Sequence, residues 1–294
     1  MTRRLFGGGG LEPQLRADDY RLLRDLVSER LGLWFGPESR SSLERRLRER
    51  LAVRGLTSFA DYYQLLRFGS SAAEEWEEAS ELLTTHETYF FREDYQLRAF
   101  KDEILPMLAQ RGRARKRLHV WSAGCSTGEE AYTIAILLLE SGLFEGWDVR
   151  VYGSDLSKRC VAAARRGVYG PTSFRTTADE LKRRWFVPQG DAFGVASEAR
   201  ALCHFGQMNL LDDERTHLVG RCDAIFCRNV LLYLDPLARR RVIETFYERL
   251  VPGGVLLLGH AESLLNVSTA FELLHLEEDL VYQKPLTAGP PGKT

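Results

Sequence analysis

The chain has 294 residues, with 40 Lys plus Arg against 41 Asp plus Glu and a net charge of −1, so no summed field draws it to nucleic acid or an anionic membrane. Its five cysteines include no CxxC pair and sit mostly inside apolar runs, which fits packed, reduced thiols, argues against the common zinc spacings and leads to the expectation of no metal site. The N-terminus lacks an apolar h-region and no apolar run approaches the roughly 18 residues of a membrane span, so a soluble, cytoplasmic protein of one large and one small domain is expected.

Residues 1–14 contain a run of glycines, Gly7 to Gly10, and read as a flexible lead. Over residues 15–82, apolar residues recur at three- and four-residue spacing through DDYRLLRDLVSERLGL, ESRSSLERRLRERLAVRG, SFADYYQLLR and AAEEWEEASELL, which predicts a small all-helical domain. Asp18, Ser39 and Thr57 or Ser58 are candidate N-caps, and Gly32, Gly55 and Gly69 candidate stops. In the second helix Leu43, Leu47 and Leu51 form one stripe while Arg45 and Arg48 point away from it. That basic face suits docking of an acidic, Glu-rich helix. It equally suits a solvated surface on which Glu44 pairs with Arg48 and Glu49 offsets Arg45.

After Phe100 the rhythm changes. RLHVWSAG, DVRVYGSDLS, CDAIFCRNVLLYL and GGVLLLGHAE are short apolar runs separated by helical segments such as GEEAYTIAILLLESG and DPLARRRVIETFYERL. Strands alternating with helices predict an α/β domain over 83–285 built on a doubly wound parallel sheet. FELLHLEEDLVYQKP reads as a closing antiparallel hairpin, and short pieces around Gly and Pro predict a small β-insert at about 183–206. Residues 286–294 read as a flexible tail.

In an open parallel sheet, ligands sit beyond the carboxyl ends of the strands where strand order reverses. SAGCSTGEE, Asp155, Asn209, and Arg228 with Asn229 all reach that edge. The dinucleotide fingerprint fails at its second glycine, because Gly124 is followed by Cys125, Ser126 and Thr127 before Gly128. An ionised Asp155 only accepts hydrogen bonds, which suits the vicinal hydroxyls of a ribose. Paired glutamates at a helix mouth, Glu129 and Glu130, repel phosphate and suit a cationic amine. Ribose, ammonium and no phosphate together describe S-adenosylmethionine. Against this, Asp155 also suits an N-cap of the next helix, and either glutamate suits the helix dipole alone.

LLTTHETYFFRE, WSAGCSTGEEAY, the GSDLS turn, NLL, AIFCRNVLLYLD and LVPGGVLLLGHAES give the chain a strong resemblance, from about Asp18 to Lys284, to the chemotaxis receptor glutamate O-methyltransferases, the CheR family. The resemblance implies an all-helical N-terminal domain, a class I methyltransferase Rossmann-like sheet carrying a small antiparallel β-subdomain, and S-adenosylmethionine-dependent methylation of glutamates on the cytoplasmic helices of methyl-accepting chemotaxis receptors. It assigns donor contacts to Thr88, Arg92, Glu130, Asp155, Asn209, Leu210, Arg228 and Asn229, and the turn at Gly124 is read from its own residues as part of the same pocket. His86 departs from the Asn that the family commonly has two positions before that Thr, and reads either as a substitute donor or as a surface residue. Arg92 and Tyr233 are implied on the substrate side, with packing and a structural ion pair as the plain reading of both. In some members the β-subdomain binds a receptor C-terminal peptide through an extended glycine-rich loop. The shorter VPQGDAFGV predicts methylation without that tether.

A glutamate with a reference pKa of about 4.3 is already ionised near neutral pH, so transfer of a methyl to it needs positioning and exclusion of water rather than a general base. Arg92 suits either the substrate carboxylate or the donor's own. The other readings are a methyltransferase acting on a small-molecule carboxylate, and a non-catalytic module that binds S-adenosylmethionine or a nucleotide and signals without turnover. A monomer is expected.

Overall fold

The computed structural model describes residues 13–286; the expected lead and tail at 1–14 and 286–294 lie outside them save for Pro13, Gln14 and Leu286. The chain forms two units, one taking in the chain up to Thr85 together with Tyr233–Ala238, the other the remainder.

The first unit is helical, with α1 at Ala17–Leu31, α2 at Arg40–Arg54, α3 at Phe59–Phe68 and α4 at Ala72–Leu83. Leu43, Leu47 and Leu51 of α2 are fully buried, as their spacing predicts. Ser58 caps α3 by accepting from the Asp61 N–H at 3.1 Å, while Asp18 falls in the first turn of α1 and Ser39 makes no side-chain cap. Gly32 and Gly55 end their helices in the left-handed conformation, the geometry that favours glycine. Several arginines of α2 serve the fold. Arg46 donates to the Leu82 and Thr84 carbonyls at the end of α4. Arg50 forms a two-pronged pair with the wholly buried Glu75, both bonds 2.8 Å, and Arg54 and the Tyr62 hydroxyl complete that carboxylate's shell. Burial works to raise the Glu75 pKa, but these bonds outweigh it and hold it below the ordinary 4.5. The returning segment joins this unit through Trp34 N–H to the Tyr233 carbonyl and Asp235 N–H to the Gly32 carbonyl, both 2.8 Å.

In the second unit, α5 (Asp94–Ala99) runs through a π-turn into α6 (Leu105–Gly112). There follow β1 (Arg117–Ala123), α7 (Glu129–Ser141), β2 (Asp148–Asp155), α8 (Lys158–Arg166), β3 (Val168–Tyr169), α9 (Asp179–Trp185), β4 (Phe186–Gln189) and β5 (Ala192–Val195). The chain continues through α10 (Ser197–Leu202), β6 (Cys203–Gln207), α11 (Asp213–His217), β7 (Cys222–Cys227), α12 (Pro236–Arg249, whose start up to Ala238 is counted with the first unit), β8 (Leu250–Leu258), β9 (Glu272–His275) and β10 (Leu280–Gln283). The main sheet has the order β6-β2-β1-β7-β8-β10-β9, with the first five strands parallel and the last two forming the expected antiparallel hairpin. Every residue of β7 is buried, because a parallel strand covered on both faces has no solvent side. Among the described residues no helix is long and apolar enough to cross a membrane.

A second sheet, β3-β5-β4, is the β-insert. Its extent differs from the expected 183–206: it recruits Val168–Tyr169, ends at Val195, and leaves Cys203–Gln207 to pair with β2 in the main sheet. The two-residue β3 is too short to show a period of its own. The insert packs around Phe90 of the TYFF segment, fully buried, whose ring lies 4.9 Å from Tyr169, 5.1 Å from Phe174 and 4.7 Å from Phe186. Aromatic groupings of this kind exceed their area burial by about 0.5–1.5 kcal/mol per pair. The outer strand β4 carries Pro188, which has no N–H to offer an added strand.

Candidate functional site

Strand order reverses between β1 and β7, so the carboxyl ends of β1, β2, β6 and β7 frame the expected crevice. Beyond β1 the chain turns at Gly124 (φ 81°), and the Gly124 and Cys125 N–H groups both donate to the Ser154 carbonyl, at 2.8 and 2.9 Å. A Cβ on Gly124 would stand 2.4 Å from Val230 Cγ2, so the turn admits glycine alone. Asp155, buried at the end of β2, accepts from the Ser126 N–H at 2.8 Å on one oxygen and from the Ser157 N–H at 2.9 Å on the other. The cap of α8 is Ser157, whose hydroxyl accepts from the Cys160 N–H, so the capping role left open for Asp155 falls to its neighbour. Met208 N–H donates to the Asp155 carbonyl at 2.8 Å, which brings Asn209 and Leu210, both half-buried, alongside. The Ser126 hydroxyl reaches the His86 carbonyl at 3.4 Å and ties the segment that begins there to the same turn.

Arg228, at the end of β7, is buried. It donates to the Arg92 carbonyl at 2.6 Å and to Glu93 at 3.0 Å, and meets Glu130 at 3.3 Å. Glu130 also accepts from the Ser122 hydroxyl at 2.7 Å. Burial pushes the Glu130 pKa up while Arg228 opposes the rise. Glu129 is raised by burial too, with hydrogen bonds from the Thr127 and Ser173 hydroxyls pulling the other way. Glu129 therefore ties the helix mouth to the segment after β3, and Glu130 balances Arg228; these are more than dipole partners. The Nε of Arg228 is buried with no hydrogen-bond partner among the described residues.

Sequence reasoning missed the residue that fixes this edge. Glu262, beyond β8, accepts from four backbone N–H groups: Asn229 at 2.7 Å, Gly259 at 2.8 Å, Val230 at 2.9 Å and Leu232 at 3.2 Å. Asn229 is thereby held at φ 60°. The only signal was an acid shortly after the glycine that ends an apolar run. Of the six non-glycine residues with positive φ among those described, Phe91, Glu93, Ser126 and Asn229 belong to these segments. Such strain persists only where surroundings over-determine it, and it gathers at functional sites.

The Arg92 guanidinium donates to the Glu87 carbonyl at 2.9 Å and lies 5.7 Å from the Tyr89 ring centroid, with its side chain 26% exposed. Thr88 is half-buried in the same loop. The other three predicted residues belong to the helical unit. Tyr233 is 40% exposed, Arg45 is exposed, and Arg48 is paired with Glu44 at 2.7 Å, the arrangement the solvated reading of α2 requires.

The donor set fits S-adenosylmethionine. A buried carboxylate that only accepts suits a diol, the buried Arg228 retains an N–H to give, and turns of small residues allow close approach to the backbone. Comparisons with known proteins agree. Residues 18–84 match the family described as the CheR methyltransferase all-alpha domain, and residues 86–280 match the CheR methyltransferase SAM binding domain. The chain is 34% identical over 269 residues to chemotaxis protein methyltransferase 2 of Vibrio cholerae serotype O1, covering 91% of this chain and 93% of the relative. It is 34% identical to chemotaxis protein methyltransferase 2 of Pseudomonas aeruginosa (88% and 91% covered), and 33% identical to the chemotaxis protein methyltransferase of Escherichia coli K12 (86% and 87% covered).

Proposed function

Because the chain belongs to the CheR methyltransferase family, we propose that it is a cytoplasmic, monomeric enzyme that methylates glutamate side chains on chemoreceptor cytoplasmic helices. The product is the glutamate methyl ester of chemotactic adaptation. The observation that carries this reading is the placement of Asp155, Asn209, Arg228 and Asn229 around the reversal point of the sheet, each fixed by backbone hydrogen bonds.

When bound, S-adenosylmethionine supplies an electrophilic methyl on a sulfonium. Asp155 accepts from the ribose diol, with its carboxylate pre-oriented by the Ser126 and Ser157 N–H groups. Arg228 and Glu130 form a balanced pair beside the amino-acid end of the donor, and Thr88, Gly124, Leu210 and His86 complete the walls. Arg92 receives the substrate carboxylate, which a guanidinium fixes with two parallel bonds. No protein base is called for, since the substrate glutamate is ionised well below neutral pH. Arg45 and Arg48 steer the acidic receptor helix.

The test is incubation with methyl-labelled S-adenosylmethionine and a chemoreceptor signalling fragment. Label released by base as a methyl ester from receptor glutamates is expected. Label on a small acid instead, or tight donor binding with no transfer, would overturn the reading.

A further inference from the structure

His86, Asp155 and Cys160 each offer one ligand atom, and the imidazole nitrogen, carboxylate oxygen and thiol sulfur all lie within 4.8 Å of one another. Asp155 and Cys160 are buried and His86 half-buried. Nothing in the cysteine spacing signals this cluster, because its members stand at positions 86, 155 and 160 and meet only through the fold.

We propose that the donor-free protein binds one zinc-class divalent ion through His86, Asp155 and Cys160, and that this ion and S-adenosylmethionine exclude each other. Thiolate, imidazole and carboxylate together are a donor set that zinc accepts, in tetrahedral geometry with bonds of roughly 2.0–2.3 Å. Ligand atoms so arranged stand about 3.3–3.7 Å apart, so a set within 4.8 Å closes by side-chain rotation of about 1 Å. The supports are already rigid. The Ser126 and Ser157 N–H groups orient the carboxylate, Ser126 reaches the His86 carbonyl, and Ser157 ties down the Cys160 N–H. Cys160 is the third residue of α8 (Lys158–Arg166), which fixes its side chain in the first turn of that helix. Binding takes the ion onto thiolate, neutral imidazole and carboxylate, and the thiol proton leaves to solvent. The fourth position is left to water, as in other three-ligand sites.

Exclusion follows from Asp155, whose oxygens cannot serve both an ion and a ribose diol. This half of the inference rests on the donor-binding reading above; metal binding does not. The site thus makes free transition metal a competitive inhibitor of the enzyme.

The experiment titrates the full chain, stripped of donor, with Co2+ as a spectroscopic stand-in, and then with Zn2+ by calorimetry. One equivalent is expected, with a sulfur-to-cobalt charge-transfer band. Cys160→Ser removes the band, and His86→Asn weakens binding at least about tenfold, both in variants whose circular dichroism and melting match the parent. S-adenosylhomocysteine at saturation abolishes the band. In the methylation assay Zn2+ raises the donor KM without lowering kcat, and Cys160→Ser keeps basal activity while losing that inhibition. Absence of a band, or a band unchanged in Cys160→Ser, overturns the site. A band that persists when S-adenosylhomocysteine is shown by calorimetry to be bound overturns the exclusion. A band with no S-adenosylhomocysteine binding at all supports the site and locates the failure in the donor-binding reading.

Discussion

Two buried arginines, one in each unit, differ in how fully they are answered. Arg50 faces Glu75 in a two-pronged bond, with Tyr62 and Arg54 closing the remaining acceptor positions. Arg228 is spread over Glu93, Glu130 and the Arg92 carbonyl, with Nε left unanswered. A buried polar network is worth most when every member is satisfied, and a gap in one needs a reason. The saturated network holds helices together, whereas the open one stands where a ligand with acceptors of its own is expected.

Breaking the saturated network gives the largest effect. Glu75→Ala leaves Arg50 buried without its counter-charge and costs about 3–5 kcal/mol of stability, read by urea unfolding; a loss below about 1 kcal/mol would mean that water replaces the carboxylate. Glu75 and Glu130 also respond to acid with opposite sign. Glu75 is held below 4.5 in the folded chain, so its contribution is full above 4.5 and is lost as pH falls through its lower folded value. Glu130 is raised above 4.5, so its contribution is full below 4.5 and is lost as pH rises through its higher folded value. Hydrogen exchange should show α2 and α4 loosening as acid is added, and Glu75→Gln should abolish that trend.

On the open side, Asp155→Ala removes a charge-assisted contact and weakens S-adenosylmethionine binding by about 1.5–3 kcal/mol. Unchanged affinity by calorimetry in a folded variant would take Asp155 out of the pocket. Glu262→Gln turns an amide toward N–H donors and releases Asn229 from φ 60°, with donor affinity falling by about 1–2 kcal/mol. Glu262→Asp, too short to span all four donors, should fail to restore it, and full restoration would show that charge alone suffices.

Smaller effects are expected at the surface. Arg45→Glu with Arg48→Glu raises the receptor KM a few-fold, an exposed pair being worth about 0.2–1 kcal/mol, with donor affinity unchanged. Since Arg48 is already paired with Glu44, Arg45→Glu alone should account for most of the change, and equal receptor kinetics would leave α2 a packing role. At the insert the expected effect is none: receptor tail peptides titrated onto the whole enzyme give no saturable micromolar binding, and a clear dissociation constant would show that an edge strand broken by Pro188 still accepts a peptide.

Much of this was legible in the chain. Leu43, Leu47 and Leu51 announced a buried stripe through period alone, and the runs now forming β1, β2, β7 and β8 announced themselves by length and bounding turns. Asp155 and Arg228 were legible because topology sends every parallel strand's carboxyl end to one edge. The roles of Arg46, Arg50 and Arg54 were not, since spacing shows which way a side chain leaves its helix but not the acid awaiting it on another. Glu262 stayed hidden for the same reason: its partners are backbone N–H groups, which carry no residue signature.

Phe90 lies far upstream in sequence of the insert it anchors. Its N–H donates to the Ser173 carbonyl at 2.9 Å, its carbonyl accepts from the Thr176 hydroxyl at 3.0 Å, and its ring is clasped by Tyr169, Phe174 and Phe186. The hairpin tip, Pro188 to Asp191, is exposed and outside this grip. The insert therefore has a base whose packing depends on Phe90 and a tip whose packing does not. Lengthening, shortening or recharging the tip leaves that packing intact, whereas transplanting or removing the base strands an aromatic ring beside Phe91 and Arg92.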